Sequence, residues 1–347
     1  MSPRIGGSEH DGARELRSRA PAVVTGGAGF LGSHLVEALL AEGREVHVLD
    51  DFSSGRPENL PTSDERLAVE RIDVGASGRA RDALDRAVAE AGIVFHLASP
   101  IGVERAHRTP RDTASRILEG GLAVVEACRR HRRALVFASS AEVYGTGGPG
   151  LLREDDALAL GSAARLSYGA AKLAVEHLVL GLERQREAPA WIVRYFNVAG
   201  ARQRPDTGLA VAAFALAALR GEPLVVHEGG TAERAFLHVR DAVAATLAVS
   251  RCEALRGRPV NAGSESPVSI ENLARQVLER AGTSGRIVHE AHSARLGDGF
   301  AAVTRRVPDT SRLREATGWR PHLSLVDAID DELRWLARAE TFATGKS

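Results

Sequence analysis

The chain has 347 residues, 44% hydrophobic and 26% charged, a length and balance that suit one large α/β domain or two closely packed ones. Lys plus Arg equals Asp plus Glu at 45 each, so no global field draws the chain to nucleic acid or an anionic membrane. Cys128 and Cys252 make neither a disulfide framework nor a zinc site, and no segment approaches the ~18 uninterrupted apolar residues of a membrane helix. Residues 1–20 are polar and charged, without an apolar signal core, and read as a flexible leader to a cytoplasmic protein.

The first predicted strand, Ala22-Val23-Val24-Thr25, runs into glycines at Gly26, Gly29 and Gly32, and a helix carrying Leu31, Leu35, Ala38 and Leu39 starts at once. The first glycine permits the tight turn. The second lets backbone N–H groups approach a pyrophosphate, and the third lets helix pack on strand. The second strand, Glu45 to Asp50, ends in an acid placed to bind a ribose 2′-hydroxyl. Strand, glycines, helix, strand and terminal Asp in register predict a dinucleotide site.

Further strands are expected at Leu67 to Val74, Ile93 to Ala98, Ala134 to Ser140 and Trp191 to Phe196, with helices over Ala80 to Ala91 and Ser115 to His131 between them. Apolar runs alternating with helices predict a Rossmann-type, doubly wound parallel sheet over residues 21–196. Beyond Asn197, Gly- and Pro-containing loops separate helices expected at Leu209 to Arg220, Val239 to Ser250, Ile270 to Ala281 and Leu325 to Ala339. Residues 197–340 read as a smaller substrate-binding lobe with some segments returning to the sheet.

Tyr168 and Lys172 are four apart in a helical run and share one face. A phenol titrates near ~10, too high for a base at neutral pH. A neighbouring ammonium and a cationic nicotinamide ring would lower it, and Lys172 could also hold the nicotinamide ribose. Ser139 and Ser140 fall where a parallel strand's C-terminal edge faces the cofactor crevice, and Ser140 could share a substrate proton with Tyr168. The alternative is that both serines cap the following turn.

Thr25-Gly-Gly-Ala-Gly-Phe-Leu-Gly32, Asp50-Asp51-Phe52-Ser53-Ser54-Gly55, His96-Leu97-Ala98, Ser139-Ser140-Ala141-Glu142-Val143-Tyr144-Gly145, Tyr168-x-x-x-Lys172 and Arg194-Tyr195-Phe196-Asn197 occur in that order. The set resembles the extended short-chain dehydrogenase/reductase family acting on nucleotide sugars, over about Pro21 to Leu336. The resemblance implies NAD, preferred over NADP through Asp50, with cofactor contacts at Gly26, Gly29, Phe30, Leu31, Gly32, Asp73, Val74, Leu97, Ala98 and Lys172. It implies Tyr168, Lys172, Ser140 and Glu142 as catalytic residues, and Asn197 and Arg234 on the nucleotide phosphates. It also implies a homodimer built on the helices Ser115 to His131 and Tyr168 to Leu182.

The shared chemistry is oxidation of the sugar C4 hydroxyl. Ala141 stands where 4,6-dehydratases carry an acid, which points away from dehydration and towards a 4-epimerase. UDP-glucuronate decarboxylases are the alternative: they share the acid at Glu142, His96-Leu97-Ala98-Ser99-Pro100, and the stretch from Gly299-Phe300 to Asp309, in which Arg306 matches an active-site arginine. Ala141 and Leu209 depart from their pattern. A dinucleotide-binding regulator without turnover is the reading from another class, opposed by the intact Ser140, Tyr168 and Lys172.

Overall fold

The six apolar runs expected as strands join one parallel sheet: β1 (Ala22–Thr25), β2 (Val46–Asp50), β3 (Leu67–Arg71), β4 (Ile93–His96), β5 (Ala134–Ser140) and β6 (Ala190–Tyr195). A seventh strand, Pro259–Ala262, pairs with β6, and the order across the sheet is Pro259–Ala262, β6, β5, β4, β1, β2, β3. This computed structural model describes residues 20–100, 102–291 and 303–344. Most of the leader, and Gly299 and Phe300, therefore lie outside the described residues.

Side chains alternate across the sheet, as the two-residue period of a strand requires. Val24, Val48, Phe95, Val136, Val193 and Val260 face one layer, covered by α1 (Phe30–Ala41) and the helix Val239–Arg251. Val23, Leu49, Val94, Leu135 and Ile192 face the other. That face is covered by α2 (Arg79–Glu90), α4 (Pro110–His131) and α5 (Ser167–Arg184), while the short α3 (Val103–Arg108) precedes α4. Each fully buried Val, Leu or Phe adds about 1.5–3 kcal/mol of transfer free energy. Burial on both faces explains why β1, β4 and β5 are mostly apolar, whereas the edge strand β3 is largely exposed.

A third core lies apart from the sheet. There Phe214 of Ala210–Arg220, Leu224, Leu273 and Val277 of Ile270–Ala281, and Ile329 of Leu325–Thr344 pack together. Several boundaries differ from the sequence expectation, β3 ending at Arg71 rather than Val74 and β6 running from Ala190 to Tyr195 among them. β4 ends at His96, so Leu97 and Ala98 belong to the loop beyond it. Helix α4 starts at Pro110 rather than Ser115, with proline in its first turn, where its missing N–H is not needed. The last helix runs on to Thr344. No helix among the described residues is long and apolar enough to cross a membrane.

Strand order reverses at β1, which pairs with β2 on one side and β4 on the other. The crevice outside the carboxyl ends of such strands is where this architecture binds ligands.

Candidate active site

One cavity opens at that switch point and runs from the first turn of α1 to the first turn of α5. At its first end, Gly26 has φ 71°, and a Cβ there would come within 2.7 Å of the Ala98 nitrogen. A Cβ on Gly32 would stand 2.1 Å from the Gly26 carbonyl oxygen. Gly29, the N-cap of α1, makes no side-chain capping bond, so the helix presents its first N–H groups and positive end to the cavity, the arrangement that suits a pyrophosphate. Phe30, Leu31, Leu97, Ala98 and Val74 line the same region.

Asp50 is 5% exposed and accepts N–H bonds from Ala28 (2.9 Å) and Phe52 (2.8 Å). Burial raises its carboxyl above the usual range, and the two N–H bonds oppose that rise. A carboxylate has about four lone-pair sites, so capacity for ribose hydroxyls remains. Beside it Arg116 reaches Asp51 (2.8 Å) and Asp73 (3.3 Å). The glycine cradle, the open helix end and the acid together fit a dinucleotide.

At the other end, β5 delivers Ser140 and α5 delivers Tyr168 and Lys172. Ser140 Oγ accepts the Glu142 N–H at 3.2 Å, so it does cap the turn Ala141–Tyr144. The Ser140 and Ser99 hydroxyls also stand close enough to the Tyr168 phenol to favour its ionised form. Burial pushes that phenol up to about 12, and the two serine hydroxyls only partly offset it. The lowering expected from Lys172 is absent for a geometric reason. Lys172 Nζ donates to the Ala138 carbonyl at 2.8 Å and lies 4.9 Å from the Phe137 ring centroid, while burial brings it down to about 7. Ser139 turns away from the cavity chemistry and donates to Glu176.

Glu142 sits between two arginines. Arg165 Nη2 donates to its Oε2 at 2.9 Å, and Arg306 contacts both of its oxygens and donates to the Gly145 carbonyl at 2.7 Å. Burial would raise the Glu142 carboxyl, but Arg306 and then Arg165 outweigh it and hold it below the usual range. Asn197, with φ 33°, lines the cavity and donates to the Ala235 carbonyl at 3.1 Å.

The cavity gathers Gly26, Gly29, Gly32, Asp50, Asp73, Ser140, Glu142, Tyr168, Lys172, Asn197 and Arg306. Arg234 is not among its lining residues. Its guanidinium donates to the Glu233 and Val303 carbonyls at 2.8 and 2.7 Å, within electrostatic range of Glu142 and Arg306. Sequence reasoning missed Arg165 and Ser99. Arg165 precedes Tyr168 by three residues, one helical turn, which was the available signal.

The NAD dependent epimerase/dehydratase family model matches residues 22–263. A UDP-N-acetyl-alpha-D-glucosaminuronate decarboxylase of Bacillus cytotoxicus is 32% identical, over 92% of this chain and 98% of its own. A crystal structure of UDP-glucose 4-epimerase with UDP-glucose from Thermotoga maritima superposes with TM-score 0.81 at 26% identity, covering 92% of this chain and 99% of that one. MoeE5 in complex with UDP-glucuronic acid and NAD superposes with TM-score 0.79 at 30% identity and the same coverage.

Proposed function

The chain belongs to the NAD-dependent epimerase/dehydratase family, and from that premise we propose that it decarboxylates a UDP-linked uronic acid after oxidising the sugar at C4. The carrying observation is the arginine-bracketed Glu142, in one cavity with Tyr168 and Ser140. Neutral sugars give such a cluster of buried charge nothing to recognise, whereas a carboxylate on C5 does. The decarboxylase relative named above supports the same reading.

Tyr168, with the Ser140 hydroxyl favouring its ionised form, is the group that takes the C4 hydroxyl proton. Bound NAD supplies the hydride acceptor for C4, returns the hydride at the end, and adds positive charge that favours phenolate. Lys172 is the residue we assign to the cofactor ribose, and Asp50, Asp73, Val74, Leu97 and Ala98 line the cofactor's end of the cavity. Oxidation leaves a ketone β to the C6 carboxylate. The C5–C6 bond then breaks, its electron pair becomes the C4–C5 enolate, and CO2 leaves. Glu142, after taking up a proton from solvent, is the carboxyl we assign to protonate C5. Asn197 and Arg234 remain the proposed phosphate contacts.

Epimerisation at C4, the first reading from sequence, stays as the second because Ala141 offers no acid and inversion needs none. The test is an NMR product panel with UDP-glucuronate, UDP-N-acetylglucosaminuronate and UDP-glucose in the presence of NAD. A pentose nucleotide and CO2 are expected from a uronate. A six-carbon C4 epimer as the sole product would overturn decarboxylation, and no turnover of any sugar would return the regulator reading.

The proposed assembly is a homodimer. Helices α4 and α5 pack side by side and leave Leu118, Leu122 and Leu178 exposed, an apolar stripe suited to a two-fold contact. Light scattering is expected to give twice the chain mass, and a monomer mass at micromolar concentration would remove the proposal.

A further inference from the structure

Resting on the reading of a carboxylate-bearing substrate, we propose that Glu142 holds the substrate carboxylate's place in the free chain. Arg165 is the guanidinium it yields, so binding exchanges one carboxylate for another and frees Glu142 for proton transfer.

Geometry and charge carry this. Both Glu142 oxygens are engaged by guanidinium groups, Oε1 by Arg306 and Oε2 by Arg165 and Arg306. Arg165 and Arg306 are only 4% and 5% exposed. Arg234 adds a third cation within electrostatic range. Among the described residues, Arg165, Arg234 and Arg306 outnumber the one carboxylate between them, and a second carboxylate would be drawn to the same guanidinium groups. The buried Nε of Arg306 also lacks a hydrogen-bond partner among the described residues.

The substrate's own chemistry decides where that second carboxylate goes. With its C4 hydroxyl at Tyr168, the substrate carries its C5 carboxylate into the same cavity. Of the three cations around Glu142, Arg165 and Arg306 line that cavity with Tyr168, whereas Arg234 does not. Arg306 is also anchored to the Gly145 carbonyl and so stays with the turn. Arg165 lies in the turn Ala164–Leu166 that leads into α5, one turn before Tyr168. A Glu142 relieved of one arginine gains proton affinity, so it can take up a proton from solvent and pass that proton to C5. A neutral C5 substituent cannot displace Glu142, so the exchange itself selects uronates.

The test is calorimetry of UDP-glucuronate and UDP-glucose binding to NAD-loaded protein, with thermal melts to confirm folding. Glu142→Gln keeps the shape but removes the competitor. It is expected to bind UDP-glucuronate about tenfold more tightly than wild type, leave UDP-glucose affinity unchanged, and lose turnover. Arg165→Met is expected to weaken UDP-glucuronate alone by about tenfold or more, and Arg165→Lys to restore part of that loss. Glu142→Gln binding the uronate no more tightly, or tightening both ligands equally, overturns the exchange. If Arg165→Met does not fold, the Glu142→Gln comparison decides alone. A wild-type chain that fails to prefer UDP-glucuronate over UDP-glucose instead overturns the substrate reading on which the exchange rests.

Discussion

Replacing Tyr168 by Phe is expected to lower turnover by about 10²–10⁴, the usual loss when a positioned general base is removed. The substitution keeps the ring and deletes only the phenol oxygen, whose ionised form Ser99 and Ser140 favour. Cofactor affinity is expected to hold, because Lys172 is anchored by the Ala138 carbonyl and lies over the Phe137 ring rather than on the phenol oxygen. Nucleotide affinity is expected to hold too, because the proposed phosphate contacts, Asn197 and Arg234, use backbone carbonyls as their anchors. Lys172→Ala differs: it empties the space between Ala138 and the cofactor site, and both turnover and NAD affinity are expected to fall. Turnover and the affinities for NAD and sugar nucleotide, measured on the same preparations, check this. Near-normal turnover by Tyr168→Phe would refute C4 oxidation through this phenol, whichever sugar is bound.

The parts of the site legible in the sequence are those built by neighbours along the chain. The glycine turn, the acid at the end of β2, and the Tyr168–Lys172 face of α5 are each set by spacings within one or two elements. What escaped depends on residues far apart. The seventh strand, Pro259–Ala262, is four residues long, and only its pairing with β6 makes it part of the main sheet. Arg165 stands one turn before Tyr168, yet nothing close to it in sequence marks its role, because its partner Glu142 arrives from the end of β5 and Arg306 from a distant strand. Lys172 was expected to lower the phenol's proton affinity, yet its ammonium turns to a carbonyl of β5 and burial prevails. Glu176 reads as one more acid on a helix but is 1% exposed, a burial intelligible only once Arg194 is seen beside it.

That buried pair sets the largest expected loss of stability: Arg194→Met should cost about 3–5 kcal/mol, the range for breaking a buried ion pair by removing one partner. Arg194 meets Glu176 through two bonds, Nε to Oε1 at 2.9 Å and Nη2 to Oε2 at 2.7 Å. Its Nη1 donates to the Tyr144 hydroxyl at 3.0 Å, and that hydroxyl donates to Asn261 Oδ1 at 2.7 Å. One guanidinium thus joins β6, helix α5, the turn after β5 and the seventh strand. Removing it strands the Glu176 carboxylate in a dry interior, where an unpaired charge is far more costly than a missing contact. Glu176 also follows Lys172 by one helical turn and accepts from Ser139, so loosening it loosens the segment that presents Tyr168. Turnover should therefore fall along with stability. The double variant Arg194→Met, Glu176→Met removes both charges and should recover much of the lost stability, because an apolar pair of similar volume needs no partners. Urea unfolding midpoints of the single and double variants read this directly. A single variant as stable as wild type, or a double variant no better than the single, would show that the pair does not hold α5 to the sheet.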